Sequence, residues 1–371
     1  MSTMQINSRL RRIHAGWYVG AFVLVLGIVA QVLYSTGAYD SWRNGRSLDQ
    51  ACDGTLAQGG LDAALGSSNL RAGSLDSGGD YLAQCSVKTT ESGVRGGALQ
   101  IKLRWSSDTP PSDTLARYDS DTDGVEGQAA PLGNGWPGVV IDQGFPQVMV
   151  ALDCQNQRSK ALVAYGDLHA SNNGPALTGL GRVTTETAQK AAAKYGCRAR
   201  AGKQLTQVSA PTLGKPLTVK PLAQAQGSCA ALREPASTAA ESGTPSIMEY
   251  PADTQAPQAN CYLVTPAKKP GYGLYAYYGA AAKDFLASEG RNLKEGYGPT
   301  HKDNDYSWAT AKCPQSTQPA VFVLYRLYDR DTDTYPVRHY SAQFATSAVK
   351  AFADHEAKQR GCTDVQMASQ P

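Results

Sequence analysis

The stretch TTETAQKAAAKYGC, residues 184–197, ends in a glycine and a cysteine, and so does TSAVKAFADHEAKQRGC, residues 346–362. In each, a Ser or Thr at the start offers an oxygen to the unpaired N–H groups of a first helical turn, and Gly just past the end permits a left-handed exit. The pattern predicts one helix begun at Thr184-Thr185-Glu186, running through Ala191, Ala192 and Ala193 and stopped at Gly196. It predicts another begun at Thr346 or Ser347, running through Ala351, Phe352 and Ala353 and stopped at Gly361. Matched helix exits, each followed at once by a cysteine, mark the end of a repeated unit.

Working outward, the 8 cysteines fall into two sets of four: Cys52, Cys85, Cys154, Cys197 and Cys229, Cys261, Cys313, Cys362. The first two of each set lie 33 and 32 positions apart, and the last two 43 and 49. This repeat suggests the pairs Cys52–Cys85, Cys154–Cys197, Cys229–Cys261 and Cys313–Cys362, one set of the 105 connectivities that eight cysteines allow. Loops of this length are worth roughly 3.5–4 kcal/mol each in the chain-entropy model. Zinc is the competing reading, but structural zinc ligands come as close pairs, and the spacings here are far wider.

Apolar runs place the inner cysteines beside strands. Residues 147–152 (QVMVAL) lead into Cys154 and are followed by residues 161–165 (ALVAY). Residues 321–328 (VFVLYRLY) follow Cys313, and with a turn over Asp329 to Thr334 and a return over Tyr335 to Tyr340 they read as a hairpin. Tyr272, Tyr275, Tyr277 and Tyr278 follow a Pro270-Gly271 turn. They suit either a half-buried strand packed on a helix or an exposed strand that contacts a peptide or glycan. Trp105, Trp136 and Trp308 lie near strand cysteines and are expected in the core.

Every cysteine follows the one long apolar segment, Trp17 to Tyr34 (WYVGAFVLVLGIVAQVLY). Eighteen residues at about 1.5 Å each give roughly 27 Å, the thickness of a bilayer core. Aromatics sit at both ends, and Arg9, Arg11 and Arg12 precede it, so the segment is expected to span the membrane once with the N-terminus in the cytoplasm. The alternative is a cleaved leader, for which Thr36-Gly37-Ala38 is a poor small-x-small site. The expected order is a cytoplasmic tail (1–16), a transmembrane helix (17–34), an extracytoplasmic domain (47–205), a linker rich in proline (206–226) and a second domain (227–367). The fold class is α+β, with two tandem, similar, disulfide-bonded domains.

Composition narrows function by exclusion. With 35 basic against 32 acidic residues, the net charge of +3 is accounted for by the three N-terminal arginines. The remainder is neutral and offers no electrostatic footprint for nucleic acid. Asp119-Ser120-Asp121-Thr122-Asp123-Gly124 resembles half a calcium loop, but Ala130 stands where a bidentate Glu is needed. Ser347 and Lys350 have a serine–lysine spacing without the companion motifs of penicillin-recognising enzymes. His14, His169, His301, His339 and His355 are scattered. No catalytic, cofactor or metal residue is assigned.

The segments ACDGTL (51–56) and YLAQC (81–85), with their paler copies SCAAL (228–232) and NCY (260–262), resemble the small disulfide-bonded α+β domains of actinobacterial envelope proteins. That resemblance implies a single-pass or lipid-anchored extracytoplasmic protein and transfers no catalytic residue. The expectation is therefore a membrane-anchored, non-enzymatic binding module for an envelope protein, a cell-wall component or a small molecule. An enzyme acting on wall polymers or peptides is the alternative; a cleft holding a carboxylate pair or a perturbed histidine would mark it.

Overall fold

The computed structural model describes residues 22–28, 31, 38–74, 81–90, 97–108, 128–142, 145–157, 160–169, 174–208, 218–234, 236–295, 305–314, 316, 318–329 and 332–368. The first half runs α1 (Ala38–Gly54), α2 (Leu61–Leu65), β1 (Leu70–Ser74), β2 (Ala83–Thr89), β3 (Ala98–Trp105), β4 (Gln128–Pro131), β5 (Gly138–Asp142), β6 (Pro146–Asp153), β7 (Ala161–His169) and α3 (Gly174–Lys194). The second runs β8 (Lys220–Pro221), 3-10 turns at Leu222–Gln224 and Ala230–Arg233, α4 (Ala236–Glu241), β9 (Ser246–Glu249), β10 (Gln258–Val264), β11 (Pro270–Tyr277), α5 (Gly279–Glu295), β12 (Tyr306–Lys312), β13 (Ala320–Arg326), α6 (Ala342–Gln359) and β14 (Thr363–Met367).

Each half forms a seven-stranded antiparallel sheet, in the orders β1-β2-β3-β7-β6-β5-β4 and β14-β12-β13-β11-β10-β9-β8. Five strands correspond one to one: β1-β2-β3-β7-β6 and β9-β10-β11-β13-β12 share order and connectivity. The halves differ in what is added. The first carries a β4–β5 hairpin at its β6 edge, and the second inserts α5 between β11 and β12 and gains β8 and β14 at its edges.

The four disulfides are Cys52–Cys85, Cys154–Cys197, Cys229–Cys261 and Cys313–Cys362, with no free cysteine. In each half one bridge ties the opening element to the second shared strand, and the other ties the strand before the last hairpin turn to the residue after the closing helix. The helix exits match in detail. Gly196 and Gly361 take φ of 72° and 67°, and Cys197 N–H and Cys362 N–H each reach back five residues, to Ala192 O and Ala357 O, at 2.8 Å. This is the hydrogen bonding of a Schellman turn, which needs a residue free to adopt positive φ.

Three local expectations change. Helix α3 begins at Gly174, so Thr184 and Thr185 lie in its buried interior and donate to Leu180 O at 2.9 Å and Gly181 O at 2.8 Å. Glycines at 174, 179 and 181 concealed the start, because packing of Gly179 against α2 and of Gly181 against Leu205 and Val208 outweighs their poor helix propensity. Helix α6 begins at Ala342, capped by Ser341, whose Oγ accepts from Phe344 N–H at 3.2 Å. After β13 an isolated Asp329↔Thr334 bridge forms, and residues 335–340 are not a strand. Pro336 has no N–H to pair, and the Arg326 guanidinium takes the carbonyls of Val337 and Arg338, each at 2.8 Å.

The sheets stack as layers. On β3, Leu99, Ile101 and Leu103 alternate with Lys102 and Arg104, so period two separates a helix-covered face from a face turned toward the second half. Ile101 and Gly166 meet Leu180 and Thr184 of α3. On the second sheet, Tyr272, Leu274, Ala276, Phe322 and Leu324 pack with Phe344, Val349 and Phe352 of α6. Its opposite face, with Tyr262, Tyr275, Tyr277, Val323 and Tyr325, belongs to the same apolar cluster as the first sheet. Helix α5 lies between them, touching β6 and β7 on one side and β11 and β13 on the other. The four tyrosines at 272, 275, 277 and 278 are all buried, which removes the exposed-strand reading.

Leu205 and Val208 pack in the first core and Leu222 in the second, so the expected linker is anchored at both ends. Residues 209–217 and the Asp119–Gly124 loop lie outside the described residues, as do residues 1–16 and parts of 17–34. Among the described residues no helix is long and apolar enough to cross a membrane. Residues 22–28 and 31 are helical, and Phe22, Val23, Leu24, Val25, Leu26 and Ile28 are all exposed.

Candidate ligand site between the two sheets

Two polar features occupy the junction of the halves, and the first holds it shut. Arg104 of β3 is fully buried and donates to Asp284 Oδ2 of α5 at 2.5 Å and to Tyr165 Oη of β7 at 2.7 Å. Tyr165 Oη donates in turn to Asp284 Oδ2 at 3.1 Å, and Arg104 Nη1 to Trp105 O at 3.0 Å. Lys283 Nζ, one residue away, donates to Ser106 O. Burial pushes the Asp284 carboxyl up, with Arg104 pulling against it. Burial also raises Tyr165 strongly. Such a cluster is costly to desolvate and costly to break, so it holds α5 in one register on the first sheet.

Beside it lies a cleft of about 270 Å³. The first half supplies Pro137, Ala151 and Asp153. The second supplies the Thr254–Pro257 loop, the start of α5 at Tyr278 to Ala280, the β12 exit at Cys313, Pro314 and Ser316, and the α6 exit at Gln359 and Arg360. Arg360 is committed elsewhere. Its Nη1 and Nη2 donate to Thr254 O at 2.7 Å and Asp253 O at 3.0 Å, its guanidinium carbon lies 3.5 Å from the centre of the Tyr278 ring, and Nε is 3.8 Å from Glu356 Oε2. Tyr278 Oη donates to the same Glu356 oxygen at 2.8 Å. These contacts make a rigid wall.

Asp153 is the contrast. Its carboxylate is wetted by the cleft yet surrounded by protein mass, so it is exposed by surface area while the low-dielectric walls push its pKa up to about 6. Among the described residues it has neither a hydrogen-bond nor an ion-pair partner. Its Oδ1 lies 3.9 Å from where a Cβ on Gly279 would stand, so it faces the start of α5. The lining contains one carboxylate and no histidine.

The residues singled out from sequence lie elsewhere. Ser347 donates to Gln343 O at 2.9 Å and Lys350 pairs with Asp354 at 2.7 Å, both on the exposed side of α6. His169 packs against Phe145, ring centres 4.9 Å apart. His301 lies outside the described residues. Among the described residues no cluster of three or more His, Cys, Asp or Glu is arranged to hold a metal ion. Six cysteines are buried, whereas Cys313 and Cys362 are partly exposed and Cys313 lines the cleft. Sequence reasoning passed over Asp153 and Arg360, although one immediately precedes Cys154 and the other stands beside Gly361-Cys362. Adjacency to a disulfide was the available signal.

Comparison with protein-family models, with curated proteins and with solved structures returns no match for this chain.

Proposed function

We propose that this chain is a single-pass envelope protein whose two sheets, descended from a duplicated unit, form an extracytoplasmic module that binds a ligand or partner without chemistry. The observation that carries the binding reading is the cleft lined by both halves, with a carboxylate in it that has no partner among the described residues. Clefts at domain junctions are where binding sites concentrate. Four formed disulfides support an oxidising compartment. The apolar side chains from Phe22 to Ile28 point to every side of their helix, which suits lipid better than a one-sided protein partner. The likeness to actinobacterial envelope domains agrees with this address. A single carboxylate lining the cleft favours binding over hydrolysis by a carboxylate pair.

The test is photo-crosslinking in the native envelope from a probe placed at Gln255, combined with carbonate extraction of membranes. A discrete cross-linked species and retention in the carbonate pellet are expected. Release of the protein by carbonate would overturn the anchor, and no cross-link from Gln255 would overturn the binding module.

A further inference from the structure

The geometry points to a primary ammonium on a short aliphatic stem as the ligand of the cleft, held by Asp153; this rests on the binding reading above. Three features choose the class. Among the described residues that line the cleft, Asp153 carries the only formal negative charge, and no described residue neutralises it. The guanidinium in the lining, Arg360, gives both terminal nitrogens to the carbonyls of Thr254 and Asp253 and packs on the Tyr278 ring beside Glu356, with no contact to Asp153. The rest of the lining holds apolar groups, Pro137, Ala151 and Pro314, that suit methylenes, and amides, Gln255 and Gln359, that suit a polar head.

Other occupants fit less well. A hard divalent cation takes six to eight oxygen ligands, and one carboxylate cannot supply them. An anion drawn to the start of α5 would meet Asp153 there. The volume, about 270 Å³, lies below the usual ~300–1,000 Å³ of drug-sized sites, so the ligand is small or is the end of a larger one, such as a lysine side chain or an amino-terminated wall peptide. An ammonium against a partly desolvated carboxylate makes a charge-assisted hydrogen bond, stronger than a neutral one. It also relieves the burial that pushes the free carboxyl up, so binding favours the ionised form.

The experiment is calorimetric titration of the full chain in detergent with Nα-acetyl-lysine amide, and with its Nε-acetylated analogue, which keeps the stem and loses the charge. The charged probe is expected to bind at pH 7.5, the neutral analogue at least tenfold more weakly, and Asp153→Asn to weaken the charged probe at least tenfold. Asp153 is exposed, so this variant keeps the fold, and a cooperative thermal melt no lower than the wild type's, with the disulfides intact, checks that. Equal binding of the two probes, unchanged binding by Asp153→Asn, or no binding at millimolar probe each overturns the assignment. If Asp153→Asn also keeps the envelope cross-link from Gln255, the ammonium site falls while the binding module stands; if the wild type shows no cross-link, the module itself falls.

Discussion

Replacing Asp284 with Ala removes the carboxylate paired with a guanidinium that has no solvent of its own. Arg104 has 0% of its side chain accessible and Asp284 has 8%, so neither charge can turn to water when the other is lost. Breaking a buried pair from one side costs about 3–5 kcal/mol, because the survivor stays desolvated. Arg104 retains Tyr165 Oη and Trp105 O after the substitution, which places the expected loss near the lower end, about 3 kcal/mol. The double variant Arg104→Met/Asp284→Leu removes both charges and fills their volume, so it should regain most of that loss. Urea unfolding at pH 7, followed by tryptophan fluorescence, measures all three proteins; Trp105 adjoins the cluster. Because the contact spans 180 positions and joins α5 to the first sheet, the single variant should also separate the unfolding of the halves into two steps. A loss under about 1 kcal/mol for Asp284→Ala, or a double variant no more stable than Asp284→Ala, would refute the reasoning.

Burial raises the Asp153 carboxyl to about 6, so the folded chain binds this proton more tightly than the unfolded chain does. Its contribution therefore falls as pH rises from about 4 to 6 and stays unfavourable above; Asp153→Asn should flatten that slope, and an unchanged urea midpoint-versus-pH curve would contradict it. Graded reduction with a small thiol followed by alkylation and peptide mapping should label Cys313 and Cys362 first, since the other six cysteines are buried. Removing that bridge with Cys313→Ala/Cys362→Ala opens a loop spanning 49 positions and should cost about 4 kcal/mol in urea unfolding. Gly179→Ala puts a methyl 2.5 Å from Ala64 N and 2.6 Å from Gly60 O, where α2 crosses α3, and should cost about 1–3 kcal/mol. By contrast Gly45→Ala in α1 meets nothing within 4 Å and should stabilise the chain by about 0.5–1 kcal/mol, so equal melting shifts in the two variants would defeat the packing argument.

Local chemistry was the legible part of the fold. The disulfide pairs followed from two sets of cysteines at matched spacing, and the helix exits from Gly196-Cys197 and Gly361-Cys362, because a Schellman turn depends on residues within one turn of each other. The start of α3 was misplaced because the deciding contact was distant. Glycine at 179 reads as a helix breaker until α2 is seen to need the space. Tyr335 to Tyr340 reads as a strand until Arg326 takes its carbonyls. In the cleft, Asp153 and Arg360 looked like ordinary residues beside cysteines, since their difference lies in which of them finds a partner.

The sequence by itself therefore determined the disulfide-stapled α+β architecture, through backbone caps and cysteine spacing that act over short stretches or through covalent closure. Only the tertiary structure decided that the two sheets share an apolar cluster, that Arg104 meets Asp284 across it, and that Asp153 stands in a cleft with no partner among the described residues. Those outcomes depend on desolvation and on groups brought together from opposite halves of the chain, and no local pattern encodes either.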